Sequence, residues 1–380
     1  MIDFSLSKEQ EAIVKKYREF GENVIIPVRD KYDKSGEFPW EVVKKAYDAG
    51  VINSQIPKKF GGEGLNIFDS QLGSEELGAA CAGIGISVDA NMLAMTPWVL
   101  GATEEQIGQW MGRLNEEKGA VGYCLTEPNA GSDVAAIKST MIKKGDKYIL
   151  NGHKRFITNA EAASYLTVFA QADPERGARS LSTIVVPTDL EGVEILPRLD
   201  KMGQRGSVQN EIKFHDVEVP AENLIGQEGH GFITAMKTFD RTRTGVAALS
   251  VGIARAAYEK ALEWTKNRVQ FGKPVTANQG VGFKLAEMAT KIELARLMTW
   301  KAAWYYEQGL RKPGTYSAMA KYYASDVAME VTTDAVQLMG GDGYTREFGV
   351  EKMMRDAKLC QIYEGTNQIQ RLIISKNIMK

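Results

Sequence analysis

At 380 residues, with 44% hydrophobic and 25% charged residues, the chain has ordinary globular composition and is long enough for two or three packed units. Its 47 basic and 48 acidic residues leave a formal net charge of -1, without the basic excess that a nucleic-acid-binding protein normally carries. Three dispersed cysteines, Cys81, Cys124 and Cys360, form neither a CxxC pair nor a disulfide framework, which suits a reducing compartment.

The opening MIDFSLSKEQ lacks the basic-then-apolar pattern of a secretory signal, so a cytoplasmic location is expected. Ser7 and Gln10 predict a capping box ahead of Ile13, Tyr17, Phe20 and Val24 at helical spacing. Pro39 and Gly50 frame a second helix, and further helical pattern runs through Asp69–Ala82 and Glu104–Arg113. The longest apolar-and-small run, Gly78 to Val88, stops at Asp89 and is too short to span a bilayer, so no membrane insertion is expected.

Near residue 119 the pattern changes. Tyr148–Leu150, Leu166–Ala170 and Thr183–Val186 are β-branched or apolar, broken by Gly145-Asp146, Asn151-Gly152 and Pro187, as in a compact β domain. From about residue 228 long helices return, one with the stripe Leu285, Met288, Ile292, Ala295, Met298 and Ala302. The predicted fold class is α+β, with an all-helical domain over 1–118, a β domain over 119–226 and a helical bundle over 227–380.

Neither GxGxxG after a strand nor a Walker loop is present, and HExxH, GxSxG and Cys/His clusters are absent as well. His153, His215 and His230 lie far apart and read as structural or surface residues, so no metal site is expected. Chemistry must then come from an acidic residue or a cofactor.

Five segments are candidates. In Gln361-Ile362-Tyr363-Glu364-Gly365-Thr366-Asn367-Gln368-Ile369-Gln370-Arg371, Glu364 precedes a glycine at a predicted break between helices. There it either points into a cavity or caps a helix at the surface. Tyr123-Cys124-Leu125-Thr126-Glu127-Pro128-Asn129-Ala130-Gly131-Ser132-Asp133 is a turn-rich stretch after a short strand, able to present N–H groups and hydroxyls to a ligand or to be a plain loop. Asn151 to Asn159 reads as a turn and a strand, Arg268 to Gly272 as a helix end, and Gln337 to Gly343 as a glycine-rich helix exit.

Together, in order and spacing, these segments resemble the acyl-CoA dehydrogenases over essentially the whole chain. The medium-chain branch is nearest, helped by Phe239-Asp240-Arg241-Thr242-Arg243 and by LAEMATKIELAR at 285–296. The resemblance implies an N-terminal helical domain, a middle β domain and a C-terminal four-helix bundle, FAD as cofactor, electron-transfer flavoprotein as partner and a homotetramer built as a dimer of dimers. It implies that Glu364 is the catalytic base, taking the α-proton of an acyl-CoA while a hydride goes to the flavin. Tyr123, Leu125, Thr126 and Ser132 would line the flavin ring or the thioester end, beside Phe156, Ile157 and Thr158; the family commonly has Trp where this chain has Phe156. Arg268, Phe271, Gln279, Gln337 and Gly341 would reach FAD bound mainly to a neighbouring subunit, and Thr366 and Gln368 the FAD that Glu364 serves. Asp240 and Arg243 would help hold CoA, with Ser132 and Gly365 also at the substrate.

Some branches carry the base at the position occupied here by Thr242, which cannot serve, so Glu364 is the remaining candidate. Asp89 stands where the medium-chain pattern usually has Glu. It is either a shortened carboxylate in the pocket wall or a second acid/base for an alicyclic acyl group such as a cyclohexane- or cyclohexene-carboxyl thioester. Met92, Met95 and Trp98 either shape that pocket or fill the core. The rivals are an oxidase or monooxygenase on the same scaffold, and a non-catalytic flavin- or CoA-binding scaffold.

Overall fold

The computed structural model describes residues 4–379. The first layer is α1 (Lys8–Phe20), α2 (Arg29–Ser35), α3 (Trp40–Ala49), α4 (Ile67–Asp89), α5 (Asn91–Gly101) and α6 (Glu104–Glu117). The capping box forms as predicted: Ser7 Oγ accepts from the Gln10 N–H at 3.2 Å and Gln10 Oε1 from the Ser7 N–H at 3.0 Å. Pro39 and Gly50 bound α3, with Gly50 left-handed at φ +62°. Helix α4 outruns the predicted Asp69–Ala82 and reaches Asp89, bending at Cys81, whose φ of -173° and ψ of 113° leave the helical region. It is buried on nearly every side, so it shows no amphipathic stripe by which its length could be read.

The middle unit is an eight-stranded sheet made of β1 (Ala120–Cys124), β2 (Thr140–Lys144), β3 (Lys147–Thr158), β4 (Ala163–Gln171), β5 (Leu181–Pro187), β6 (Val193–Ile195), β7 (Gln209–Pro220) and β8 (Leu224–Ile225). Strands run in the order β6-β7-β3-β2-β4-β5-β8, and β1 lies parallel to β4. All nine residues of β4 are buried. In the β3–β7 ladder the register shifts between Lys154 and Ile157, so Arg155 and Phe156 bulge out. Phe156 sits at φ +60° with 59% of its surface exposed. A bulge of this kind re-aims a side chain away from the ladder.

The third unit is the bundle: α7 (Gly231–Asn267), a two-strand hairpin of β9 (Val269–Gln270) and β10 (Lys273–Pro274), α8 (Gln279–Glu307), α9 (Pro313–Gly343), α10 (Val350–Cys360) and α11 (Asn367–Ile378). The predicted stripe on α8 is inward: Leu285, Met288, Ile292, Ala295 and Ala302 are buried and Met298 packs against the same core. Alanines line the facing sides of α7 and α9 (Ala247, Ala254, Ala257 and Ala261; Ala320, Ala324, Ala328 and Ala335), which lets these long helices lie close. Helices α4 and α7 also cross closely. A Cβ on Gly78 would stand 2.9 Å from Leu249 Cα, and one on Gly252 2.8 Å from the Ala79 nitrogen. That crossing brings the end of α4 to the bundle.

Candidate active site

Helix α10 stops at Cys360 and α11 begins after Thr366, whose hydroxyl caps the Ile369 N–H at 3.4 Å. The two residues between that matter most are both left-handed: Glu364 at φ +50° and Gly365 at φ +90°. Glycine tolerates this and glutamate does not, so the turn must be held by its surroundings. Glu364 O accepts from Gln370 Nε2 at 3.1 Å and Arg243 Nε at 3.3 Å. Gly365 O accepts from Gln370 Nε2 at 2.8 Å and Lys321 Nζ at 2.9 Å.

So held, the Glu364 side chain turns inward to α7, where Thr242 Oγ1 donates to its Oε2 at 2.7 Å. Its pKa is pushed up to about 7. Burial drives the rise, the Thr242 hydrogen bond and the charges of Arg243 and Lys321 oppose it, and Asp89 adds to it. Glu364 thus turns inward, half-buried against α7, rather than capping a helix at the surface.

Asp89 reaches the same place from the end of α4. Its pKa is pushed up to about 6 by burial, with the Ser74 hydrogen bond (2.9 Å) opposing and the charge of Glu63 adding. Gly245 stands one turn beyond Thr242 on α7, where a Cβ would come 3.6 Å from Gln71 Oε1 and 4.0 Å from Asp89 Oδ2. The two carboxyls thus flank one face of α7. Glu63 accepts from the Tyr17 hydroxyl and from Lys16 Nζ, the latter at 2.9 Å, so a polar chain continues behind Asp89 into the N-terminal helices.

Tyr123 joins from β1, its ring 5.8 Å from Phe239 and 5.0 Å from Phe169. Its hydroxyl is buried without a hydrogen-bond partner. Leu125, Thr126, Phe156 and Ile157 are drawn together because Thr126 O accepts from the Arg155 N–H at 2.9 Å and Leu125 O from Lys154 Nζ at 3.1 Å. Lys154 is fully buried, paired with Glu127 at 2.8 Å, and its third hydrogen bond goes to Phe169 O at 2.7 Å. Thr158 Oγ1 accepts from Gln209 Nε2 at 3.1 Å, while Ser132 stands exposed on the loop after β1. An orphaned buried hydroxyl, an exposed aromatic on a bulge and a row of hydroxyls fit an isoalloxazine ring and its polar edge.

Other expected residues are not brought to Glu364. Arg268 lies 25 residues beyond Arg243 along α7, roughly 37 Å at the helical rise per residue. Gln337 and Gly341 are near that far end, where Trp264 Nε1 donates to Asp342 Oδ2 at 3.1 Å, and Val275 N bonds Arg268 O at 2.9 Å just ahead of Gln279. Phe271 is 97% exposed there. The predicted helix exit at Gln337–Gly343 is where α9 breaks and ends: Gly340, at φ +60°, leaves the helical region and the helix stops at Gly343. Gln368 is exposed on α11.

Arg243 turns inward rather than to solvent. It is 3% exposed, pairs with Asp240 at 3.0 Å and touches the Glu364 carbonyl, so it serves the turn in this structure. Trp98, Met92 and Met95 are core filling, with Trp98 Nε1 donating to Thr167 at 2.8 Å. His153 and His215 face Glu211 and Glu194, and no cluster suited to a metal occurs among the described residues. Sequence reasoning missed Lys321, Gln370, Ser74 and Gln71, and saw Thr242 only as a failed base. Thr242 and Lys321 meet the turn only through the fold, from 122 and 44 positions away, whereas Gln370 reaches it from five and six positions along the chain.

A helical layer, a β domain and a helical bundle converging on a half-buried carboxyl of raised pKa define a protein suited to proton abstraction. The family profiles for the acyl-CoA dehydrogenase N-terminal, middle and C-terminal domains match residues 7–118, 122–217 and 229–379, and the chain belongs to the acyl-CoA dehydrogenase family. It is thus an FAD-dependent oxidoreductase acting on the CH–CH group of an acyl-CoA. Among its relatives, the cyclohex-1-ene-1-carbonyl-CoA dehydrogenase of Geobacter metallireducens is 41% identical, covering 98% of this chain and 99% of that one. The solved butyryl-CoA dehydrogenase of Megasphaera elsdenii is 39% identical with a TM-score of 0.95, both chains covered in full. A chain solved in work on the electron transferring flavoprotein of Acidaminococcus fermentans is 41% identical with a TM-score of 0.97, again over both full lengths.

Proposed function

We propose that the protein converts an acyl-CoA to the 2-enoyl-CoA, with Glu364 removing the α-proton. The observation that carries this reading is the Glu364 carboxyl itself: half-buried, aimed inward by a left-handed turn, and poised at about 7. A base works best when its pKa lies near the working pH, because enough of it is ionised and it still binds the proton well. Tyr123, Leu125, Thr126, Ser132, Phe156, Ile157, Thr158, Thr366 and Gln368 would hold FAD. Bound FAD supplies the acceptor for the β-hydrogen, as hydride at N5. Thr242 orients the base, Asp240 and Gly365 border the thioester and CoA, and the aromatic wall of Tyr123 and Phe239 keeps water out.

Arg268, Phe271, Gln279, Gln337 and Gly341 form an exposed patch at the far end of the bundle, open enough for the FAD of a second subunit in a homotetramer. Electron-transfer flavoprotein is the proposed acceptor, supported by the likeness to the Acidaminococcus chain. A cytoplasmic location and a role in β-oxidation complete the proposal.

A second reading is favoured by Asp89, a carboxyl poised at about 6 on the same face of α7, and by the relative named for a cyclohexene thioester. In it the acyl group is alicyclic and Asp89 is an additional acid/base at a ring carbon. Anaerobic titration of the FAD-loaded protein with straight, branched and cyclic acyl-CoA esters separates the readings. Bleaching of the oxidised-flavin band by straight esters supports the first, and by cyclic esters alone the second. A band that no thioester bleaches overturns both.

A further inference from the structure

Lys321 lies on α9, 43 positions before Glu364, and its side chain is fully buried. Nothing about a lysine favours such a place unless its ammonium is used. Its Nζ donates to Gly365 O at 2.9 Å and to Asn367 Oδ1 at 3.0 Å. Asn367 in turn donates to Ser325 Oγ at 2.9 Å and Asp326 Oδ1 at 2.7 Å, and its own N–H bonds Gln361 O at 3.0 Å. Lys321 therefore ties the strained Glu364–Gly365 turn to α9, while Arg243 holds it from α7.

We propose that Lys321 is a positioning residue for the base: it pins the left-handed turn through the Gly365 carbonyl and so sets where the Glu364 carboxyl stands relative to its ammonium. The groups that face Glu364 are Thr242 and Arg243 from α7, Lys321 from α9, Asp89 from α4 and, from β1 and the end of α10, the neutral hydroxyls of Tyr123 and Tyr363. Asp89 and burial both disfavour the charged carboxylate, and Arg243 is already paired with Asp240. Lys321 hydrogen-bonds neutral oxygens, the Gly365 carbonyl and the Asn367 amide, and the charged or titratable groups around it are Cys360, Glu364, Arg243 and Asp326, the last reached through Asn367. Burial brings Lys321 itself down to about 8, with the charges of Cys360, Glu364 and Asp326 opposing the fall.

The inference rests on the proposed role of Glu364, but its test does not require turnover. In the FAD-loaded protein, the infrared band of the protonated Glu364 carboxyl, assigned by its loss in Glu364→Gln, is followed against pH. Lys321→Met should move the midpoint up by about one pH unit, the usual reach of a nearby opposite charge. Lys321→Arg should bring it back toward wild type. If Lys321→Met fails to fold, Lys321→Gln, which keeps a donor without the charge, should show the same upward move. An unmoved midpoint in the neutral variants overturns the proposal, as does an equal move in Lys321→Arg, which would mean that shape alone matters. Failure of the base assignment shows separately, as flavin reduction by butyryl-CoA that survives Glu364→Gln.

Discussion

Two glutamates in this chain, Glu127 buried and Glu364 half-buried, have opposite fates. Glu127, on the loop after β1, accepts from the N–H groups of Lys138 and Ser139 at 2.8 and 3.0 Å and pairs with the buried Lys154. Burial alone would raise its pKa, but the Lys154 ammonium and these donors outweigh burial and hold it below the usual carboxylate range. Glu364 has one hydroxyl donor, no direct ion pair and a second carboxyl across the cavity, so burial wins. The lesson is that burial does not make a base. A carboxylate whose lone pairs are filled becomes a strut, and one left short of partners becomes reactive.

The largest test of the contrast is Glu364→Gln, which should cut the rate of anaerobic flavin reduction by about 10²–10⁴, the usual contribution of a positioned base. The same variant should be more stable than wild type at high pH. A carboxyl raised from its ordinary 4.5 to about 7 binds its proton more tightly folded than unfolded, so its stability is full below 4.5 and lost as pH rises through 7. The loss amounts to roughly 3 kcal/mol above pH 7, and denaturant melts of wild type and variant should agree at pH 4 and separate at pH 8. A wild type that is the more stable at pH 8 would break the comparison.

Lys154→Met addresses the other glutamate. It leaves Glu127 buried without its cation and should cost about 3–5 kcal/mol in the same melts. Since Glu127 is a depressed carboxylate, its contribution is present above its unfolded pKa and is lost as pH falls through its folded one. A Lys154→Met penalty that persists unchanged in strong acid would argue against the strut. Thr242→Val removes the donor on Glu364 Oε2, and the acid limb of the reduction rate should move up by about one pH unit. The smallest effect is that of Asp89→Asn. Losing a like charge should move that limb down by a few tenths of a unit with a straight-chain ester, and abolish turnover only for a ring substrate that needs Asp89.

Local structure was largely legible along the chain. Ser7 with Gln10, Pro39 with Gly50 and the α8 stripe report helices because caps and periodicity act within a few residues. Glu364 was legible too, since a glutamate beside a glycine at a helix break is a local pattern and the family resemblance is carried by contiguous motifs. The end of α4 was not, because a helix buried all round has no polar face to mark its length. Nor was the bulge at Phe156, which arises where β3 leaves β7 to bond the loop at Thr126.

What the sequence by itself determined is the order of helical, β and helical units, the family, and which carboxyl is available. Only the tertiary structure decided that burial raises the pKa of this carboxyl, the property that suits it to the proposed role of base. Burial sets that property first, with Thr242, Arg243 and Lys321 opposing and Asp89 adding, groups that three different helices bring to one point. Electrostatic energy depends on distance through space and on the water excluded between groups, and neither is written in the spacing of residues along the chain.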